Sequence, residues 1–255
     1  MSESKRLAGK VAIITGASSG IGCAAVRRFH DEGAWVIAAA RYTRPEELTQ
    51  WEGAERVIPM TVDVTKLEDI QRMVETAETR FGRLDALCNI AGINDLHYTL
   101  EDTDDARWDR IMDLDLKAPF RICRLAVPLM LKGGGGAIVN IGSYAALRGN
   151  HGPSYTAAKT GLVGLTRSIA FGYGPQGIRC NIVHPGGVDT DIGPHSGGAF
   201  HPVGLERIMK IAEAYPSGWH ATPEEVAACC LFLCSDDARH VNGAELSVDG
   251  GTCCC

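Results

Sequence analysis

A β-branched run, Val11-Ala12-Ile13-Ile14, breaks into Thr15-Gly16-Ala17-Ser18-Ser19-Gly20-Ile21-Gly22, and few folds can use such a junction. The run has the character of a buried strand, and the glycines turn the chain sharply into a helix. Gly16 permits the tight turn, Gly20 lets backbone N–H groups approach a ligand, and Gly22 lets the new helix pack close to the sheet. Free N–H groups and the helix dipole at such a terminus attract a pyrophosphate. The junction therefore predicts an α/β protein with a nucleotide cradle on its first strand.

The rest of the chain alternates in the same way. Further strands are expected at Trp35–Ala40, Arg56–Val62, Leu84–Ile90, Gly136–Ile141, Ile178–His184 and Glu245–Val248, with helices near 20–32, 45–52, 67–81, 105–131, 154–173 and 223–234. Strands separated by helical patterns make βαβ units. Seven strands linked in this way predict a doubly wound, parallel, Rossmann-type sheet, with its ligand crevice at the carboxyl ends of the strands. A chain of 255 residues fits one such domain. Net charge is −6, which leaves no basic footprint for nucleic acid. The first residues lack the apolar core of a signal peptide and no run is long enough to span a bilayer, so a cytoplasmic protein with no membrane partner is expected. The ten cysteines fall singly or adjacent in apolar stretches, without zinc-finger spacing, so no metal is expected and Cys253-Cys254-Cys255 reads as an oxidisable tail.

A second constellation lies further on. Tyr155-Thr-Ala-Ala-Lys159 puts a phenol and an ammonium on one helix face, and Ser143 stands twelve residues earlier. Tyrosine is a poor base at neutral pH, with a pKa of about 10. A cation about 4 Å away is worth about 4 kcal/mol at intermediate dielectric, so Lys159 is expected to bring Tyr155 toward neutrality. The tuned phenol would exchange a proton with an alcohol or ketone oxygen while Ser143 hydrogen-bonds that oxygen.

With its TGxxxGxG spacing, the first turn resembles that of the short-chain dehydrogenase/reductase family, in the single-domain branch of about 250 residues. The resemblance continues through Asp63-Val64, Asn89-Ile90-Ala91-Gly92, Ser143, Tyr155, Lys159, Pro185-Gly186-Gly187-Val188-Asp189-Thr190 and Val248-Asp249-Gly250-Gly251. It implies a nicotinamide cofactor held by Gly16, Ser18, Ser19, Gly20, Ile21, Gly22, Asp63, Val64, Asn89, Ala91, Gly92, Tyr155, Lys159, Pro185, Gly186, Val188 and Thr190. It implies catalysis by Ser143, Tyr155 and Lys159. Where the family usually has an Asn that holds a water relay to the lysine, the alignment puts Asp115, whose carboxylate would hold the same water. The matching helices form subunit contacts in the family, so a homotetramer is implied, with a homodimer as the alternative.

Cofactor choice rests on the end of the second strand. An acidic residue there would bind the ribose hydroxyl of NAD, but the chain has Arg41, which suits the extra phosphate of NADP. NAD stays open, because Arg41 can instead stack on the adenine or face solvent. Segment 189–221 carries Phe200, Met209, Tyr215 and Trp219 between glycines and prolines, and is expected to be a substrate lid. Its apolar side chains suggest a sizeable apolar or amphipathic small molecule, such as a hydroxysteroid or bile acid. Ketoacyl-thioester reduction and polyol oxidation are the alternatives, and a non-catalytic NADP(H) sensor is the alternative of another class. His195, His201 and His220 are candidate substrate contacts or solvated loop residues, and His184 is expected to pack in the core.

Overall fold

Seven parallel strands, β1 (Val11–Thr15), β2 (Trp35–Ala40), β3 (Val57–Thr61), β4 (Ala86–Asn89), β5 (Gly136–Ile141), β6 (Ile178–Pro185) and β7 (Glu245–Val248), form one sheet in the computed structural model of the chain. The structure describes residues 5–41, 50–51, 54–212 and 220–254. The helices are α1 (Gly20–Asp31), α2 (Leu67–Phe81), α3 (Asp105–Met112), α4 (Ala118–Lys132), α5 (Ala145–Arg148), α6 (Pro153–Tyr173), α7 (Ile192–His195), α8 (Pro202–Ala212) and α9 (Pro223–Cys234). Strand order is β3-β2-β1-β4-β5-β6-β7, so the winding reverses between β1 and β4 and opens a crevice there.

Helices cover both faces of the sheet, which explains why all five residues of β1 are apolar or small and buried. On one face, Phe29 of α1 and Leu231 of α9 pack against Ala12, Val36 and Val139. On the other, Met73 of α2, Ile122 of α4 and Ile169 of α6 pack against Ile13, Leu87 and Ile138. None of the described helices is long and apolar enough to cross a membrane.

Three expectations need correcting. The helix expected over 105–131 is divided, because a π-helical turn, Asp113–Lys117, separates α3 from α4. Pro119 has no N–H to donate to the Asp115 carbonyl, so regular α-helical bonding cannot run through this turn. The strand expected over Leu84–Ile90 is only Ala86–Asn89. Segment 189–221, expected as a substrate lid and given no helix, contains α7 and α8 within its described part. Pro202 starts a helix instead of breaking one, and Leu205 and Ile208 turn inward while Glu206, Arg207 and Lys210 face out. The helix expected over 45–52 lies outside the described residues except for Gln50 and Trp51, which form a turn. Tyr215 and Trp219 also lie outside them.

Candidate active site

The ends of β1 and β4 are tied together at the crevice. Thr15 Oγ1 accepts hydrogen bonds from the Ile90 N–H at 3.0 Å and the Ala91 N–H at 3.2 Å. Gly16 adopts φ +70°, and a Cβ there would stand 3.0 Å from the Ala91 nitrogen. At Gly22 a Cβ would lie 2.0 Å from the Gly16 carbonyl oxygen, so only glycine lets α1 start this close to the turn. Ser19 precedes α1 without capping it by its side chain, and the first turn of α1 holds no acidic residue. Its leading N–H groups thus face the crevice without a side-chain acceptor, which fits a bound pyrophosphate.

The crevice opens into a cleft of ≈ 420 Å³. It is lined by the glycine turn from Gly16 to Gly22 (Gly16, Ser18, Ser19, Gly20, Ile21 and Gly22), by Arg41, Asp63 and Val64, and by Ala91, Gly92 and Thr190. Asp63 Oδ1 accepts from the Thr65 N–H and hydroxyl at 3.0 and 2.7 Å, which fixes that rim.

Asn89, Pro185, Gly186 and Val188 are not among the residues lining this cleft. The Asn89 side chain turns into the core, where Nδ2 donates to Asn140 Oδ1 at 2.8 Å, across the β4–β5 register that puts these residues side by side. The Pro185 carbonyl accepts from the Tyr144 N–H at 3.0 Å. Gly186 lies against the Asp249 backbone, where a Cβ would come within 2.9 Å of Cα. Val188 bridges to Ala221 and lines an adjoining depression that shares Gly20, Thr190 and Asp191 with the cleft.

Ser143, Tyr155, Lys159 and Asp115 do come together. β5 ends just before Ser143, and α6 carries Tyr155 and Lys159 one turn apart. Ser143 Oγ accepts from the Ala145 N–H at 3.1 Å and is near enough to the Tyr155 phenol to favour its ionised form. Lys159 Nζ donates to the Ile141 carbonyl at 3.0 Å, stands 3.2 Å from Asp115 Oδ2, and lies 5.4 Å from the Tyr155 ring centroid. Asp115 sits in the π-helical turn and its Oδ1 accepts from the Ile93 N–H at 3.0 Å. Its Oδ2 faces the ammonium at ion-pair distance without hydrogen-bond alignment.

Burial changes the expected electrostatics. It pulls the Lys159 ammonium down, but the Asp115 and Tyr155 charges and the contact with Asp115 outweigh it, so the lysine pKa is raised. The Asp115 carboxyl is raised chiefly by burial, against the pull of Lys159. The Tyr155 phenol is also raised, contrary to the sequence expectation, because burial, aided by Asp115, outweighs Lys159 and the Ser143 hydrogen bond.

Four residues were not singled out for the roles they occupy. Asp95 is fully buried, and its Oδ2 accepts from the Ser154 hydroxyl at 3.2 Å and the Tyr155 N–H at 3.0 Å, capping α6 from another element. A Cβ at Gly152 would lie 2.3 Å from that oxygen. His97 follows on a left-handed backbone (φ +59°), and its ring lies 4.6 Å from His151. His151 stands 5.3 Å from the Tyr155 ring. His184, expected to be merely packed, is buried with Nδ1 3.2 Å from the Ser143 nitrogen and 2.9 Å from its carbonyl oxygen, so it fixes the serine backbone. Asp95 and His97 lie within a few residues of Asn89-Ile90-Ala91-Gly92 in sequence and His151 lies four residues before Tyr155, but only the fold brings His184 to the same place.

The loop after β4 also grips the segment expected to be a lid. The Asn94 N–H donates to Ser196 Oγ at 2.7 Å, the His201 N–H to the Leu96 carbonyl at 2.9 Å, and His97 stacks on Phe200 at 5.5 Å. His201 Nε2 lies 3.0 Å from Asp102, and His220 pairs with Asp189 at 3.2 Å. His195 lines the cleft.

A family profile described as Enoyl-(Acyl carrier protein) reductase matches residues 16–253. The chain is 39% identical, over 98% of its length and 98% of the relative's, to 3beta-hydroxysteroid dehydrogenase 2 of Eggerthella lenta. It is 36% identical, over 96% of its length and 98% of the relative's, to a 3-oxoacyl-(acyl-carrier-protein) reductase of Thermotoga maritima. Among solved structures, a protein of Burkholderia xenovorans assigned to the short-chain dehydrogenases/reductases superposes with a TM-score of 0.86 at 34% identity, over 98% of this chain and 99% of that one.

Proposed function

The chain belongs to the short-chain dehydrogenase/reductase family of NAD(P)-dependent alcohol and ketone oxidoreductases, and from that premise we propose that it interconverts a secondary alcohol and a ketone with NADP(H), using Tyr155 as acid and base. The observation that carries this reading is the meeting of the Ser143 hydroxyl, the Tyr155 phenol and the Lys159 ammonium, two residues beyond the end of β5 and at the head of α6. A bound nicotinamide would supply or take up the hydride.

In reduction, the Tyr155 phenol gives its proton to the ketone oxygen as negative charge develops there, and Ser143 donates a second hydrogen bond to the same oxygen. In oxidation, Tyr155 takes the proton from the carbinol hydroxyl. Lys159, anchored on the Ile141 carbonyl, keeps a positive charge beside the phenol and stabilises its anion. Asp115 fixes the lysine from the other side and sustains proton exchange through water. Asp95 and His184 are positioning residues, the first for the tyrosine backbone and the second for the serine backbone.

Support for NADP comes from Arg41, an exposed guanidinium at the cleft rim beyond β2, where it can fork onto a phosphate. Support for a hydroxysteroid substrate comes from the Eggerthella relative and from half-exposed apolar groups on the segment after β6, Phe200 at 39% and Met209 at 53%. Residues 189–212 would then act as the described part of a lid, held to the loop after β4. The reading extends to a cytoplasmic homotetramer, whose contacts would cover Phe120 of α4 and Phe171 of α6, the latter 89% exposed. The test is oxidation of a panel of hydroxysteroids with each cofactor, followed by the absorbance of the reduced nicotinamide. Turnover with NADP and loss of turnover in Tyr155→Phe are expected, whereas an equally active variant would overturn the assignment.

A further inference from the structure

We propose that His151 is a specificity-determining residue whose Nε2 accepts a hydrogen bond from a second hydroxyl next to the reacting carbon, so that vicinal diols and α-hydroxy ketones are preferred over plain alcohols and ketones. This rests on the oxidoreductase reading above and adds a feature of the substrate to it.

His151 lies in the turn between α5 and α6, with its ring centroid 5.3 Å from Tyr155, 5.2 Å from Tyr144 and 4.6 Å from His97. The imidazole thus packs against the ring of the residue that would hold the substrate oxygen, within reach of a substituent on the carbon next to the reacting one. The hydrogen-bond pattern assigns the proton. Asn150 uses one end of its amide to hydrogen-bond Tyr144. Its Oδ1 lies 3.1 Å from His151 Nδ1, so Nδ1 donates to it. Nε2 then carries a lone pair and no proton. Among the described residues it has no hydrogen-bond partner, and it is not a sealed buried atom, because the residue keeps partial exposure.

An acceptor in this position selects for donors. Burial, with the neighbouring His97 ring, lowers the His151 pKa to about 3, so the ring stays neutral at working pH. A neutral Nδ1–H tautomer attracts a hydroxyl hydrogen and has no charge to offer a carboxylate. His97, Tyr144 and Tyr155 are the polar rings packed around it, and none supplies the missing donor. A plain alcohol leaves the Nε2 lone pair unpaired, whereas a vicinal hydroxyl satisfies it.

The test compares vicinal cyclohexanediol with cyclohexanol in the full-length protein with its nicotinamide cofactor. Wild type is expected to favour the diol in kcat/KM by about tenfold, the value of one hydrogen bond to a partly buried acceptor, and His151→Phe to bring that ratio to about one, mainly through KM. The ratio does not depend on how much of the variant folds. His151→Gln, which restores an amide oxygen, should recover part of the preference. Independently of turnover, the His151 Nε2 signal in nitrogen NMR of histidine-labelled protein should move on adding the diol and stay in place on adding cyclohexanol. An unchanged ratio in His151→Phe, or a silent Nε2 signal, would overturn the assignment and leave the oxidoreductase reading standing. Failure of the wild-type protein to turn over any alcohol or ketone would overturn both.

Discussion

Asp115 Oδ2 lies 3.2 Å from Lys159 Nζ, with both side chains buried. A buried carboxylate and ammonium stabilise each other, yet the carboxylate also acts on the phenol one helical turn away. It opposes ionisation of Tyr155, which burial already disfavours, so the ligand-free site holds a protonated phenol. That state is ready to donate a proton to a ketone and must lose one before it can oxidise an alcohol.

Replacing Asp115 by Asn removes this opposition while keeping an oxygen for the Ile93 N–H. The Tyr155 pKa then falls, the reactive phenolate forms at lower pH, and the acid limb of oxidative kcat/KM should move down by about one pH unit. A pH profile measured on Asp115→Asn checks this, and an unmoved limb would contradict it.

Arg41 should govern cofactor choice. Arg41→Ser is expected to weaken NADP binding by roughly tenfold to a hundredfold, as expected for charge-assisted hydrogen bonds to one phosphate, with little effect on NAD. Titration calorimetry with both cofactors measures the two affinities, and equal weakening would show that Arg41 does not read the phosphate.

Asp95 accepts from both the Ser154 hydroxyl and the Tyr155 N–H at the head of α6. Asp95→Ala strands these donors and should cost about 2 kcal/mol in denaturant unfolding. Because the tyrosine backbone loses its anchor, kcat should fall more than KM rises. Asp95→Asn keeps an acceptor and is expected to restore most of both.

The half-buried His151 also sets acid sensitivity. His151 has a folded pKa of about 3, below the unfolded value. Between about pH 6.5 and pH 3 the unfolded chain binds a proton there that the folded one does not, so folded stability falls as pH falls through this window, by up to about 1.4 kcal/mol per unit. Unfolding free energies of His151→Phe across the same range should show a shallower slope.

Glycine spacing and strand alternation made the sheet legible, because Gly16 and Gly22 have no substitute where a Cβ would strike the Ala91 and Gly16 backbones. Tyr155 and Lys159 were legible as a pair because one helix turn separates them. Asp95 and His151 were not. Asp95 reaches the Tyr155 backbone from the loop after β4, 60 residues away in sequence, whereas His151 stands only four residues before Tyr155 and what the sequence hides is the way its ring packs on the tyrosine. The direction of the Tyr155 shift was misjudged for a related reason, since charge spacing is written in the sequence but depth of burial is not. The helix over 105–131 hid its π-helical turn because the pattern on both sides is helical.

The central claim is that Tyr155 moves the proton. The most direct measurement is kcat for Tyr155→Phe on an alcohol the wild-type protein oxidises, with cofactor binding followed by nicotinamide fluorescence in the same preparation. The account predicts a loss of about a thousandfold in kcat with cofactor still bound. A bound cofactor together with turnover within about threefold of wild type would contradict it, since a general acid–base residue contributes far more than that.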